Sequence, residues 1–246
     1  MIDAHVAQEW VQRWDRQQER YMADREERFT VVADVVAELA GPRPFVLDLG
    51  CGPGSLCDRL AARLPQASFL GVDNDRLLLE LGRARYPELR LVEADLAAAD
   101  WPARAGVPDE VDAAVSSTAL HWMAAEDLER LYGRVAELVR PGGVFVNADH
   151  LMSGSPVLDV LSRHVRDARA TRVGVDDNEP WRAWWDAILA DERLGALVEE
   201  RAQQPVGSGP NKLSLSDHVD VLRESGFSEV GTVWQSGDDY VLVGVR

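Results

Sequence analysis

Val46-Leu47-Asp48-Leu49-Gly50-Cys51-Gly52-Pro53-Gly54-Ser55 runs an apolar segment straight into a glycine-rich turn. A continuous apolar run is what a strand buried on both faces of a parallel sheet requires. The glycines allow a tight turn and a close backbone approach to a ligand, and the N-terminus of the following helix offers free N–H groups. A nicotinamide-type site would place its third glycine where Ser55 stands, whereas here Gly54 comes one position early, so the turn argues against a dinucleotide.

Outward from this turn, strand and helix patterns alternate. Gly41-Pro42 ends a preceding helix, Phe45-Val46-Leu47 opens the sheet, and strands are expected at Ser68 to Val72, Arg90 to Glu93, Val111 to Val115 and Val144 to Val146. Leu56, Leu60 and Leu64 mark one intervening helix; Leu128, Leu131, Val135 and Leu138 mark another. Such alternation implies crossover units, an α/β fold with a doubly wound, mostly parallel sheet. Strands at about Glu229 to Trp234 and Tyr240 to Val245, joined at Ser236-Gly237-Asp238-Asp239, add an antiparallel C-terminal hairpin and make seven strands in all. Two amphipathic helices are expected between Val6 and Leu39, and Leu151 to Asn211 carries helical periodicity without a strand. The expected organisation is therefore N-terminal helices over 1–40 closing on the site, a nucleotide-binding domain over 41–150 and 213–246, and an inserted helical cap over 151–212.

The charge balance of 26 Lys+Arg against 42 Asp+Glu, net -16, opposes nucleic acid and anionic membrane surfaces as partners. Met1-Ile2-Asp3-Ala4-His5 lacks the basic start and apolar run of a signal peptide, so a cytoplasmic protein is expected. The two cysteines, Cys51 and Cys57, have no neighbouring Cys or His at zinc-ligand spacing, so neither a disulfide framework nor a metal is indicated. Oligomeric state is left open.

Two further carboxylates end successive expected strands. Asp73, closing Phe69-Leu70-Gly71-Val72-Asp73, offers two acceptor oxygens to the hydroxyls of a ribose. Asp95, in Val92-Glu93-Ala94-Asp95-Leu96, follows the next strand. A lone strand-end Asp is more often a cap, but Asp48, Asp73 and Asp95 in this order resemble the class I S-adenosylmethionine-dependent methyltransferases over about Phe45 to Asp149. The resemblance implies a Rossmann-like methyltransferase fold and S-adenosyl-L-methionine as cofactor, with S-adenosyl-L-homocysteine as product. It assigns the cofactor to Asp48, Gly50, Cys51, Gly52, Asp73, Asn74, Asp95, Leu96 and Ser116, with Asp95 at the position that holds the adenine amino group.

At the end of the fourth strand stands Ser116-Ser117-Thr118-Ala119-Leu120-His121-Trp122-Met123. It lacks the Asn/Asp-Pro-Pro-aromatic signature of DNA amino-methylating enzymes and is similar to the trans-aconitate methyltransferase group. His121 is the candidate catalytic base, since imidazole titrates near neutral pH, and Trp122 a candidate substrate contact. Tyr21 and Arg25 in the charged N-terminal stretch are candidates for closing the site, Arg25 by pairing with a carboxylate of cofactor or substrate. Trp181, Trp184, Trp185 and Ile188 share one helix face, read either as core or as an aromatic wall over the substrate, and His150 and Asp149 end the fifth strand. The expected reaction is methyl transfer to an oxygen, or secondarily a nitrogen, of a small molecule. A peptide or protein carboxyl acceptor, transfer of another group, and a non-catalytic binding module are the alternatives.

Overall fold

The computed structural model describes residues 2–203 and 211–246. Two helices lead, α1 (Ala4–Glu19) and α2 (Arg25–Leu39), and the sheet then forms from β1 (Phe45–Leu49), β2 (Ser68–Asp73), β3 (Arg90–Glu93), β4 (Val111–Ser117) and β5 (Val139–His150). Between these strands run α3 (Ser55–Arg63), α4 (Arg76–Arg85), α5 (Trp101–Ala105) and α6 (Ala125–Leu138). After β5 come α7 (Pro156–Val173), α8 (Trp181–Leu189) and α9 (Gly195–Arg201), then α10 (Leu215–Glu224) and the hairpin β6 (Glu229–Ser236) and β7 (Asp239–Val245). The strand order is β3-β2-β1-β4-β5-β7-β6. The first five strands in that order run parallel, β7 is antiparallel to β5, and β6 is antiparallel to β7. Strand order reverses between β1 and β4, and in an open α/β sheet such a reversal leaves a crevice at the carboxyl ends of the strands.

β5 is longer than the expected Val144 to Val146. Its first part, through Pro141-Gly142-Gly143, pairs Val139 with Val111 before the register shifts at a bulge to Ala113 with Val144. Gly142 sits at φ +75°, and a Cβ on Gly143 would lie 2.7 Å from the Asp112 carbonyl oxygen, so residues that signal a turn here permit the bulge inside a strand.

One face of the sheet packs Leu47, Leu49 and Leu70 against α6 and α10 through Leu131, Tyr132, Val135 and Leu222. The other packs Val46, Val115 and Val146 against Phe29, Val32 and Val36 of α2 and Leu56 and Leu60 of α3. A separate cluster joins α1, α4 and α8: Trp10 and Val11 meet Leu77, Leu78 and Leu81 together with Trp184, Trp185 and Ile188. Most of the tryptophan stripe is thus core, which fixes α8 against α1 over the carboxyl end of the sheet. Among the described residues no helix is long and apolar enough to cross a membrane.

Candidate active site

The donor end of the site starts at the last residue of β1. The Gly50 and Cys51 amides both donate to the Val72 carbonyl, at 2.8 and 3.1 Å, so the chain turns sharply between β1 and β2. Gly50, Gly52 and Gly54 lie at φ +71°, +53° and +85°, where an L side chain is strained. A Cβ at Gly50 would stand 2.3 Å from Cβ of Ala119, so the loop after β4 nests directly on this turn.

Asp48 and Asp73 face the cavity above. Asp48 is buried; its Oδ2 accepts from the Cys57 thiol at 3.2 Å, and its Oδ1 has no hydrogen-bond partner. Burial, helped by the charge of Asp73 and opposed by the thiol bond, pushes Asp48 up to about 7. Asp73 accepts the Gly52 amide on Oδ2 and the Asp75 amide on Oδ1, both at 2.8 Å, yet burial still pushes it up to about 6. A carboxylate with an orphaned buried oxygen awaits a cationic or donor group. Asp95, Leu96 and Asn74 line the same cavity further along, with Asp95 capping the Ala97 amide at 2.9 Å. Cys51 lines it too, its sulfur packed where a Cβ on Gly71 would come within 2.8 Å. Ser116 does not reach the cavity. Successive strand residues point to opposite faces, so its hydroxyl is buried and donates to the Leu49 carbonyl at 2.7 Å, while Ser117 lines the cavity instead.

At the acceptor end, Thr118 takes φ +50° and a short 3-10 turn, Leu120–Trp122, carries His121 back over the end of β5. His121 Nδ1 stands 2.8 Å from Asp149 Oδ1, which also accepts the His150 amide at 2.8 Å. Burial works against a charged imidazole, but the Asp149 carboxylate and its hydrogen bond outweigh it and raise the His121 pKa. Burial would raise the fully buried Asp149, and the adjacent His121 more than reverses this, so its pKa is lowered. With Nδ1–H held by Asp149, Nε2 is the atom left to a ligand. Trp122 is 52% and Trp181 37% exposed, and they stack at 6.0 Å between centroids with a 23° interplanar angle. Tyr21 accepts the Trp181 amide on its hydroxyl at 3.0 Å, tying the α1–α2 connection to α8.

Arg25 lines the cavity but is buried and already paired, 3.0 Å from Asp15 Oδ1, with its guanidinium over the Phe29 ring at 4.6 Å. His150 also lines it, 3.5 Å from Asp238. Two groups that carry no signal in the sequence lie behind the cleft and hold residues that line it. Asp15 accepts from Arg25, from Ser55 Oγ at 2.7 Å and from Arg59 at 2.8 Å, latching α1 to the helix that follows the glycine turn. Arg28 is wholly buried, bonded to Asp239 at 2.6 Å and Ser117 Oγ at 2.8 Å. Both stand in runs of alternating charge that read as solvated helix surface. The donor and acceptor ends are parts of one cleft of about 1440 Å³, lined from Trp14 and Tyr21 through Gly52 and Asp95 to Trp122 and Trp181. That volume exceeds the roughly 300–1,000 Å³ common for single-ligand pockets, leaving room for a nucleoside and a second small molecule.

Comparison with known proteins agrees with this fold. Residues 46–143 match a family described as methyltransferase domain. A trans-aconitate 2-methyltransferase of Methylobacterium radiotolerans is 40% identical over 187 residues, covering 74% of this chain and 63% of that one. One from Delftia acidovorans is 32% identical over 197 residues, covering 74% and 68%, and one from Acidovorax ebreus is 32% identical over 170, covering 63% and 62%. The match thus spans less than two thirds of the Methylobacterium and Acidovorax proteins. Among solved structures, DesVI of Streptomyces venezuelae superposes with a TM-score of 0.58 at 13% identity over 91% of this chain and 92% of that one. An O-methyltransferase family protein from Burkholderia thailandensis gives 0.56 at 20% over 88% and 55%, and likenesses at these identities establish the fold. Fold, glycine turn and strand-end carboxylates together define a class I S-adenosylmethionine-dependent methyltransferase, and the chain belongs to that family. Within it, the sequence is similar to the trans-aconitate 2-methyltransferases.

Proposed function

We propose that this protein transfers the methyl group of S-adenosylmethionine to an oxygen of a small-molecule acceptor, with His121 as the catalytic base. The observation that carries this reading is the His121–Asp149 pair at 2.8 Å, held on a loop whose Ala119 packs against Gly50 of the donor turn. When bound, S-adenosylmethionine supplies an electrophilic methyl carbon on a sulfonium. The orphaned Asp48 oxygen suits its ammonium group, Asp73 its ribose hydroxyls, and Asp95 with Leu96 and Asn74 its adenine. His121 Nε2 takes the proton of an acceptor hydroxyl, and Asp149 holds Nδ1–H and offsets the imidazolium charge. Trp122 and Trp181 form the wall against which the acceptor lies, with Tyr21, Arg25 and His150 at its margin. The described residues of the 1–40 and 151–212 segments act as covers on a core of 41–150 and 213–246, excluding water and aligning the two reactants, a source worth several kcal/mol; residues 204–210 of the expected cap lie outside the described residues.

The deciding experiment is S-adenosylhomocysteine formation with a panel of hydroxylated and carboxylated small molecules, followed by the acceptor's mass shift. Binding of S-adenosylmethionine without turnover of any acceptor would favour the non-catalytic module. A second reading, a carboxylate acceptor, is favoured by the trans-aconitate relatives. A carboxylate is already anionic and needs no base, so His121→Ala would then raise KM and spare kcat.

A further inference from the structure

The charges that line the cleft narrow the acceptor further. Among the described residues six basic side chains line it: Arg25, Arg104, His121, His150, Arg166 and Arg201. Every one already has a carboxylate partner. Arg25 pairs with Asp15, Arg104 with Asp100 at 2.7 Å, His121 with Asp149, and Arg201 with Asp75 at 2.7 Å. Arg166 and His150 share Asp238, at 2.9 and 3.5 Å. Residues 204–210, Gln-Pro-Val-Gly-Ser-Gly-Pro, contain no Lys, Arg or His that could add another cation. By contrast Asp48 and Asp73 form no ion pair with any described basic group, so the cleft groups without a counter-ion are carboxyls and not cations. A polycarboxylate drawing on the buried cations would have to take Arg25 from Asp15 or His121 from Asp149, leaving a buried carboxylate unpaired. Around the acceptor end stand Trp122, Trp181, Met123, Met22 and Phe29, an apolar and largely aromatic surface.

Resting on the methyl-transfer reading of this cleft, we propose that the acceptor is a flat, uncharged molecule bearing the reacting hydroxyl, of phenol type, stacked on the Trp122–Trp181 wall, and not a polycarboxylate. In the reaction the hydroxyl oxygen forms a bond to the methyl carbon as the carbon–sulfur bond breaks. The electron pair of that bond stays on sulfur, giving the thioether, and the hydroxyl proton passes to His121 Nε2 and then to solvent. A neutral acceptor leaves every existing ion pair in place, and its proton is the one that the His121–Asp149 pair is arranged to take.

The test is calorimetry of the full chain loaded with S-adenosylhomocysteine, using 2-naphthol, 2-naphthoate and trans-aconitate as probes. 2-Naphthol should bind at least about tenfold more tightly than 2-naphthoate, and trans-aconitate more weakly still. Trp122→Ala should weaken 2-naphthol by about two- to tenfold. Asp238→Asn, which leaves His150 without a carboxylate partner and Arg166 with Asp167 alone, should tighten 2-naphthoate and leave 2-naphthol unchanged, with S-adenosylhomocysteine affinity as the check on folding. Trans-aconitate binding as tightly as 2-naphthol, or no binding of 2-naphthol, overturns the acceptor assignment. Absence of S-adenosylhomocysteine binding in the same cell defeats the methyl-transfer reading itself, so the two failures are separable.

Discussion

At the donor end of the cleft the groups that face a ligand are carried by consecutive strand ends and by backbone: Asp48 on β1, Asp73 on β2, and the amides of the glycine turn. At the acceptor end they come from the α1–α2 connection, the loop after β4, the end of β5 and helix α8, segments far apart in the chain and tied together by side chains. The electrostatics differ in the same way. The carboxyl groups at the donor end have no ion-pair partner among the described residues, whereas the basic groups at the acceptor end are matched pair by pair. One half is shaped by topology and waits for charge; the other is shaped by packing and is electrically closed.

The largest expected effect lies at the acceptor end. His121→Ala should lower turnover by roughly 10²–10⁴-fold while S-adenosylhomocysteine affinity stays within error, and His121→Gln should not restore the rate. Because Asp149 raises the His121 pKa, the wild-type rate should climb with pH along a limb above the ordinary histidine value, and the variants should lose that limb. Unchanged kinetics in both variants would reduce His121 to a packing residue.

Next comes the donor turn. Gly50→Ala places a methyl 2.3 Å from Ala119 at φ +71°, and about 2–5 kcal/mol of stability should be lost along with cofactor binding. At Gly52 an added Cβ meets nothing nearer than 3.8 Å, so Gly52→Ala should cost only about 1 kcal/mol of backbone strain. Chemical denaturation that finds the two equal would show that the donor end is not set by the contact between the turn and the loop after β4.

A smaller effect separates the two halves by pH. Asp48 is raised from 3.8 to about 7 by burial, so between those values the unfolded chain has lost a proton that the folded one retains. Stability of the ligand-free protein should therefore fall as pH rises through this window, with Asp48 contributing at most about 1.4 kcal/mol per pH unit, and Asp48→Asn should flatten the slope. Denaturation midpoints of the two proteins at pH 5 and pH 7 give the comparison, and parallel curves would refute a proton held on Asp48 in the folded state. The mildest change is Trp181→Ala, expected to raise the acceptor KM by a few-fold with kcat nearly unchanged, since one stacking partner is worth about 0.5–1.5 kcal/mol. A matching loss in kcat would mean that the wall also aligns the reacting atoms.

Much of the donor end is readable along the chain because it is local. The glycines and Asp48 lie within ten consecutive residues, and Asp73 and Asp95 end the strands that follow in order. Ser116 misleads because a strand's alternation of faces cannot be phased from its end alone, and the bulged start of β5 is hidden by Pro141-Gly142-Gly143, residues that elsewhere break strands. The tryptophan stripe shows the limit of periodicity. Helical spacing puts Trp181 and Trp184 on one face, but only the packing of α8 on α1 and α4 buries Trp184 and leaves Trp181 in the cleft.

The sequence by itself determined the sheet class, and it placed the glycine turn, Asp48, Asp73, Asp95 and His121 at or just past the strand ends where the structure has them. Tertiary structure alone decided that Asp149 partners His121, that Arg25 is spent on Asp15, and that Arg28 and Asp15 hold residues lining the cleft. The reason is range. Turn geometry and strand ends are fixed by neighbours a few residues away, whereas an ion pair such as Arg28 with Asp239 joins residues 211 apart, and nothing in either one's local sequence says which charge will find a partner.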